Sequence, residues 1–351
     1  MHKLSIEHLK SGLSISTHIG CYLGCKYCIL SSTDNFKAGP MHCATPEDIM
    51  EHLMSGTVPY VRNQTPILIN NRTDPFLPEV QGSTYEMLEL LHRNGVLSPL
   101  LLITKMAPDA RITSFFTKLN IMVCYTYAGL PEGIDYNSIS SINQKNLDTL
   151  YAFTPKDSRY LYYRPIIPGL NDNINKFDEV VKSIGRNFNT IIIGGVRILP
   201  HNEVQIQTIL KDKPNSIEYN HKYFKHSFFC EAVNVARKYD VNLVRHTSCA
   251  IAFHMKYKSR LQYFGKNNEC NPYCLNYSIC VGSCTTSNKK SNLTAFLDAH
   301  IQNEYSIHGD SIKIRGRVDQ ELISCIRNSF GVAITADAIE LSPSEKSFLE
   351  K

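Results

Sequence analysis

Gly20-Cys21-Tyr22-Leu23-Gly24-Cys25-Lys26-Tyr27-Cys28 sets three cysteines at C-x3-C-x2-C spacing, with a tyrosine directly before the last. Iron–sulfur clusters are ligated by closely spaced cysteine thiolates, so a loop of this kind can hold three irons of a [4Fe-4S] cluster and leave the fourth open. A vacant coordination position is also what separates a catalytic zinc site from a structural one. Zinc is the rival reading. Zinc ribbons pair two C-x2-C halves, however, and here only His18 and Cys43 stand near enough in sequence to complete four ligands.

The loop is fed by Leu13-Ser14-Ile15-Ser16-Thr17-His18, whose alternation predicts a short strand. Beyond it, Thr45-Pro46-Glu47-Asp48 reads as an N-cap, a proline at the first helical position and acids in the first turn of a helix carrying Ile49, Met50 and Leu53. Short apolar runs at Pro66–Asn70, Leu100–Ile103, Ile121–Cys124, Arg159–Arg164 and Thr190–Ile193 predict five further strands. A Ser83-to-Glu86 capping box predicts a helix through Leu91, and Phe177, Val180, Val181 and Ile184 lie at helical spacing before Gly185. Strand and helix alternating in this way argue an α/β protein with a parallel sheet and right-handed crossovers, flat or curled into a partial barrel.

Residues 201–225 are rich in Asn, Lys and His and read as a connecting insertion, followed by a helix from Phe228 to Tyr239 and a strand from Val241 to Val244. From about residue 250 the pattern changes to a cysteine-bearing segment, alternating runs such as Ser311–Arg315, and a helix near Gln320 to Phe330. The expected division is a barrel over 1–200, the insertion and last barrel elements over 201–249, and a small α+β cysteine-rich domain over 250–351.

The 351 residues carry 43% hydrophobic and 20% charged side chains, an ordinary globular balance, and no apolar run approaches the roughly 20 residues that span a bilayer. No secretory pattern opens at Met1, so an intracellular, cytoplasmic protein is expected, in which twelve cysteines favour metal ligation over disulfides. A net charge of +5 permits a nucleic-acid partner without requiring one.

In parallel α/β architectures ligands bind where loops leave the carboxyl ends of strands. That rule selects Thr73 and Asp74 after the second strand, Thr104 and Lys105 after the third, Tyr125 and Thr126 at the fourth and Arg164 at the fifth. A second cysteine set, Cys270, Cys274, Cys280 and Cys284, is spaced C-x3-C-x5-C-x3-C, compatible with an auxiliary iron–sulfur cluster or with zinc. Cys43, Cys124, Cys230, Cys249 and Cys325 remain. Lone cysteines behave as small buried hydrophobes, as Cys124 in an apolar strand and Cys325 in a helix should, whereas Cys249 follows a strand and is the candidate hydrogen-atom donor.

The C-x3-C-x-aromatic-C loop after a first strand resembles that of the radical S-adenosylmethionine (SAM) superfamily over about the first 200 residues. The resemblance implies a partial (β/α)6 barrel and an open iron that chelates the amino and carboxylate groups of SAM. It also implies an electron from an external donor such as flavodoxin or ferredoxin, and cleavage of SAM to a 5′-deoxyadenosyl radical. Thr73-Asp74-Pro75-Phe76 and Ile103-Thr104-Lys105 are similar to motifs of the branch related to spore photoproduct lyase, which implies SAM-site roles for Asp74 and Lys105. Tyr27, Thr73, Thr126 and Arg164 complete the expected cofactor-binding set. Two departures stand out: Met106 follows Lys105 where relatives often have Ser, and Asn70, Asn71 and Arg72 include no cysteine where the lyase keeps its hydrogen donor. A small molecule or peptide is therefore the expected substrate, ahead of nucleic acid; a non-enzymatic metal scaffold is the third reading.

Overall fold

In the computed structural model, residues 5–9, 11–30, 39–211, 222–256, 273–275, 277–278, 287–309 and 311–340 are described. The main sheet begins with a hairpin in which β1 (Ile6–Leu9) pairs antiparallel with β2 (Gly12–Ile15). The strand expected over 13–18 stops at Ile15, because Asn70 captures Thr17: its Oδ1 accepts from the Thr17 amide at 2.8 Å and from Thr17 Oγ1 at 3.0 Å. The chain resumes as β3 (His18–Ile19), which pairs antiparallel with β4 (Met41–His42), so the cysteine loop leaves and returns between two short strands.

β5 (Ile67–Ile69), β6 (Leu100–Thr104), β7 (Ile121–Thr126), β8 (Arg159–Ile166) and β9 (Thr190–Arg197) follow, and β2-β5-β6-β7-β8-β9 lie side by side, all parallel, in chain order. The β10 strand (Lys222–Tyr223) runs antiparallel along the end of β9, and β11 (Asn242–Val244) parallel along its beginning. This is a mixed α/β fold with a mostly parallel central sheet. The six parallel strands are the ones read from the sequence; the β1 edge and the β3–β4 pair were not foreseen.

Period-two alternation sorts the side chains onto two faces. Ile67, Leu100, Leu102, Val123, Leu161 and Ile193 pack with the helices that follow the strands, such as Pro46–Met54, Gln81–Arg93 and Ile174–Ser183. Leu68, Leu101, Met122, Cys124, Tyr160, Tyr162 and Ile192 form a separate inner cluster. The helix Thr247–His254 lies on that inner face, contributing Ala250 and Ile251, with Tyr160 OH 3.0 Å from His254 Nδ1 and Tyr162 OH 2.7 Å from Thr247 Oγ1.

Thr45 caps its helix as expected, accepting from the Asp48 amide while Asp48 returns a bond to the Thr45 amide. The Ser83–Glu86 box does not form. The helix starts two residues earlier, at Gln81, and the turn that Asp74 to Val80 winds leads straight into it.

A smaller α+β unit holds the helix Ser287–His300, β12 (Tyr305–His308), β13 (Ser311–Asp319), the helix Gln320–Phe330 and β14 (Ala333–Glu340). Its core includes Leu293, Leu297, Ile312, Ile326 and Phe330. Helix Gln320–Phe330 docks beneath the amino-terminal ends of β2 and β5, where Asn328 Nδ2 donates to Leu9 O at 2.8 Å and Ser329 Oγ lies 2.6 Å from Thr65 Oγ1. Of the second cysteine set only Cys274 is described; Cys270, Cys280 and Cys284 lie outside the described residues.

Candidate active site and cofactor-binding loop

Positive backbone φ at Gly20 (102°) and Gly24 (69°) lets the chain fold the three cysteines back toward one another, a conformation that side chains with a Cβ resist. The loop is fixed at three points. Gly20 N donates to Arg72 O at 3.0 Å, Lys26 N to Ile134 O at 3.0 Å, and His201 Nε2 lies 2.8 Å from Ile29 O. Arg72 is itself held by Glu7, with Nε donating to Oε1 at 2.6 Å and Nη2 to Oε2, in a buried bidentate pair. The β1 edge strand thus reaches the loop through one ion pair.

Cys21, Cys25 and Cys28 pack in one small apolar cluster with Leu23, Leu77, Val80, Met106 and Tyr136. Burial pushes the Cys21 and Cys25 thiols up to about 12, so a metal that binds them must displace their protons. Among the described residues no three His, Cys, Asp or Glu side chains close on a point as ligands of a single ion. Three closely spaced thiols are the donor set of a multi-iron cluster, in which each thiolate binds its own iron.

Next to these packed side chains stands a polar network. Lys105 Nζ is 2.7 Å from Asp135 Oδ1 and donates to Tyr27 OH at 2.6 Å, while Cys25 Sγ lies 3.4 Å from the same Asp135 oxygen. Burial lowers the proton affinity of Lys105, but Asp135 and the Cys25 side outweigh it, and its pKa ends above the ordinary lysine value. An ammonium has three donors. Two are engaged among the described residues, which leaves one for an incoming oxyanion.

Asp74 is nearly closed off. Its Oδ1 accepts from the Phe76 amide at 3.0 Å and Thr104 Oγ1 at 2.8 Å, and its Oδ2 from the Lys105 amide at 2.6 Å. Burial raises its pKa, and these three donors oppose that shift. Its first duty is to tie the ends of β5 and β6 together; one lone pair on Oδ2 remains. The Thr73 hydroxyl is buried with no partner among the described residues, and Thr126 ends β7 with its carbonyl accepting from Asn137.

Tyr27, Asp74, Lys105 and the three cysteines are therefore brought to one place. Arg164 follows Tyr160 and Tyr162 on the inner face of β8, where Nη1 donates to Thr247 Oγ1 at 3.0 Å. Cys249 lies in the helix Thr247–His254, half-buried against the inner cluster, rather than in a loop at a strand end. Cys274 packs on that same cluster, and the Leu275 amide donates to Asn242 Oδ1 at 3.1 Å, at the amino-terminal end of β11.

Sequence reading missed Asp135. It sits in Pro131-Glu132-Gly133-Ile134-Asp135, a turn whose acid has no local pattern to distinguish it from a solvated one. It also missed Asn70, whose φ of 53° and three side-chain bonds, to Thr17 N, Thr17 Oγ1 and Thr84 Oγ1, link β2, β5 and the next helix.

A parallel six-strand order, with a three-cysteine loop following the first parallel strand, is consistent with a radical SAM partial barrel. Among solved structures the chain is similar to spore photoproduct lyase, a radical SAM enzyme. A cysteine-to-serine mutant of it matches with TM-score 0.52 at 13% identity, over 68% of this chain and 76% of that one. A double mutant with bound AdoMet and dinucleoside spore photoproduct matches with TM-score 0.51 at 13% identity, over the same 68% and 76%. A complex with dinucleoside spore photoproduct matches with TM-score 0.51 at 12% identity, again over 68% and 76%. The likeness is one of fold. No protein-family model and no curated protein sequence matches the chain.

Proposed function

We propose that the chain is a radical SAM enzyme. The observation that carries this reading is the packing of Cys21, Cys25 and Cys28 in one apolar cluster beside the Lys105–Asp135–Tyr27 network, at the carboxyl ends of parallel strands. A [4Fe-4S] cluster held there, with SAM on its open iron, would supply the electron for reductive cleavage to a 5′-deoxyadenosyl radical.

In this reading the chain's own residues divide the work. The three cysteines bind, and the packed side chains of Leu23, Leu77 and Val80 exclude water. Lys105, kept protonated by Asp135, offers its third N–H to the SAM carboxylate. The free lone pair of Asp74 faces the ammonium or a ribose hydroxyl, and the Thr73 and Thr126 hydroxyls serve the sugar. Cys249, against the inner cluster, is retained as the candidate hydrogen-atom donor, and Cys274 as part of a second metal site of iron–sulfur or zinc type.

For the substrate, the fold neighbours solved with a dinucleoside ligand favour a nucleic-acid-related molecule, reversing the order in which the sequence ranked it against a small metabolite or peptide. The +5 charge agrees with that order.

Anaerobic reconstitution with iron and sulfide, followed by dithionite and SAM, tests the enzyme reading. About four irons per chain at the loop, or about eight if the second cysteine set also holds a cluster, are expected, with 5′-deoxyadenosine formed. Cys28→Ala should lose the loop's iron and the product together. Tightly held zinc in place of iron, with no cleavage, would sink the reading and promote a metal scaffold.

A further inference from the structure

Two buried cations flank the cysteine loop, and each is paired: Arg72 with Glu7 and Lys105 with Asp135. The second pair also reaches a cysteine. Cys25 Sγ donates to Asp135 Oδ1 at 3.4 Å, and the same oxygen lies 2.7 Å from Lys105 Nζ. A carboxylate is an unexpected neighbour for a thiol that must become a metal-bound thiolate, because it adds a second negative charge where one already forms.

The segment that carries Asp135 is fixed in place. Ile134 O accepts from Lys26 N at 3.0 Å, and Asn137 Nδ2 donates to Thr126 O at 3.0 Å. Asp135 itself precedes the short turn Tyr136–Ser138, where an aspartate commonly caps, yet its side chain makes no bond to that turn. It is spent on Lys105 and Cys25 instead. The Asp135 side chain is 2% exposed and that of Lys105 12%, so their charges act where water screens poorly.

A thiolate that binds iron has no proton to give. With Cys25 as such a ligand, the Asp135 contact is no longer a hydrogen bond but a carboxylate charge beside a ligand sulfur, with Lys105 as its counter-charge. The reduction potential of an iron–sulfur cluster follows net charge, hydrogen bonds to its sulfurs and solvent exposure. A lysine alone here would favour the reduced form and raise the potential; a carboxylate alone would lower it. The SAM carboxylate calls for a cation at this spot, whereas reductive cleavage calls for a strongly reducing cluster. A lysine paired with an aspartate meets both demands. We propose that Asp135 is a positioning residue that acts through Cys25 and Lys105 to keep the potential of the loop's cluster low. The assignment deepens the radical SAM reading given above and rests on it.

The test is a redox titration of the reconstituted full-length protein without SAM, with the reduced cluster followed by its electron paramagnetic resonance signal. Asp135→Asn leaves Lys105 unopposed and should raise the midpoint potential, whereas Lys105→Met leaves Asp135 unopposed and should lower it. Each change is expected at about tenfold in the reduction equilibrium, or about 59 mV for one electron. The double variant Lys105→Met with Asp135→Asn should return close to wild type, and Asp135→Glu, which keeps the charge, should move the potential least. A merely structural role would move both single variants the same way, by letting water reach the cluster. Shifts of one sign in both, or no shift in either, would overturn the assignment. If Asp135→Asn takes up no iron, Lys105→Met is compared with the double variant: a higher potential in the double variant upholds the proposal, and equal potentials overturn it. Iron uptake and 5′-deoxyadenosine formation by the wild-type protein report on the enzyme reading separately. A wild type that cleaves SAM beside variants without opposed shifts sinks this assignment alone, and a wild type that holds zinc in place of iron sinks both.

Discussion

Asp135 has much to do at the candidate site, because it pairs with Lys105 in a place where both side chains are nearly closed to water. Removing one partner of such a pair strands the other charge, at about 3–5 kcal/mol. Asp135→Asn should therefore destabilise the full-length protein by that order in urea unfolding, and Lys105→Met combined with Asp135→Leu should regain most of it. Unchanged stability in the single variant would mean that the ammonium finds water. His8, on β1, offers a pH test. Its Nε2, which must carry the proton, donates to Pro59 O at 2.6 Å, and burial pulls its pKa down from 6.5 to about 4. Between those values the unfolded chain holds a proton that the folded chain lacks, so stability falls as pH drops through this window, by up to about 3 kcal/mol. His8→Gln should flatten that part of the stability–pH curve.

At the scale of elements, the sheet depends on places where a backbone approaches without a side chain between. Gly195 in β9 is the clearest: a Cβ there would lie 2.2 Å from the Tyr223 carbonyl oxygen and 2.6 Å from its carbon. Gly195→Ala should push β10 off the end of β9. The loss of amide protection at Lys222 and Tyr223 can be read by hydrogen exchange, with a stability cost of about 1–3 kcal/mol. Protection retained at both amides would show that β10 shifts without separating. The strands themselves were legible from short β-branched and leucine-rich runs, because a sheet covered on both faces needs apolar residues at every position. The capping box at Ser83 misled because a local pattern competes with the turn already wound by Asp74 to Val80.

Over the whole molecule, the helix Gln320–Phe330 ties the small carboxy-terminal unit to the start of the main sheet across more than 250 residues of chain, through Asn328 on Leu9 O and Ser329 on Thr65. Asn328→Ala with Ser329→Ala should remove both bonds, with Thr65 Oγ1 still accepting from the Val61 amide, at about 1 kcal/mol each. The expected outcome is thermal unfolding in two steps in place of one, with earlier proteolytic release of the carboxy-terminal unit. A single transition at the wild-type temperature would assign the docking to apolar contact instead. Among the described residues no helix is long and apolar enough to cross a membrane.

The sequence by itself determined that six strands alternate with helices, with the cysteine loop after the first and a short set of polar residues at strand ends, since each is written in local spacing and alternation; their side-by-side order is seen only in the sheet. It also placed the helix at Pro46 from its cap, which is local chemistry, and the helix near Gln320. Only the tertiary structure decided which of those polar residues meet. Lys105 could be listed from its place after a strand, but its partner Asp135 lies 30 residues on, and a contact at that separation leaves no trace in spacing. For the same reason the meeting of Arg164 with Thr247, which the chain reaches 83 residues later, could not be read from spacing.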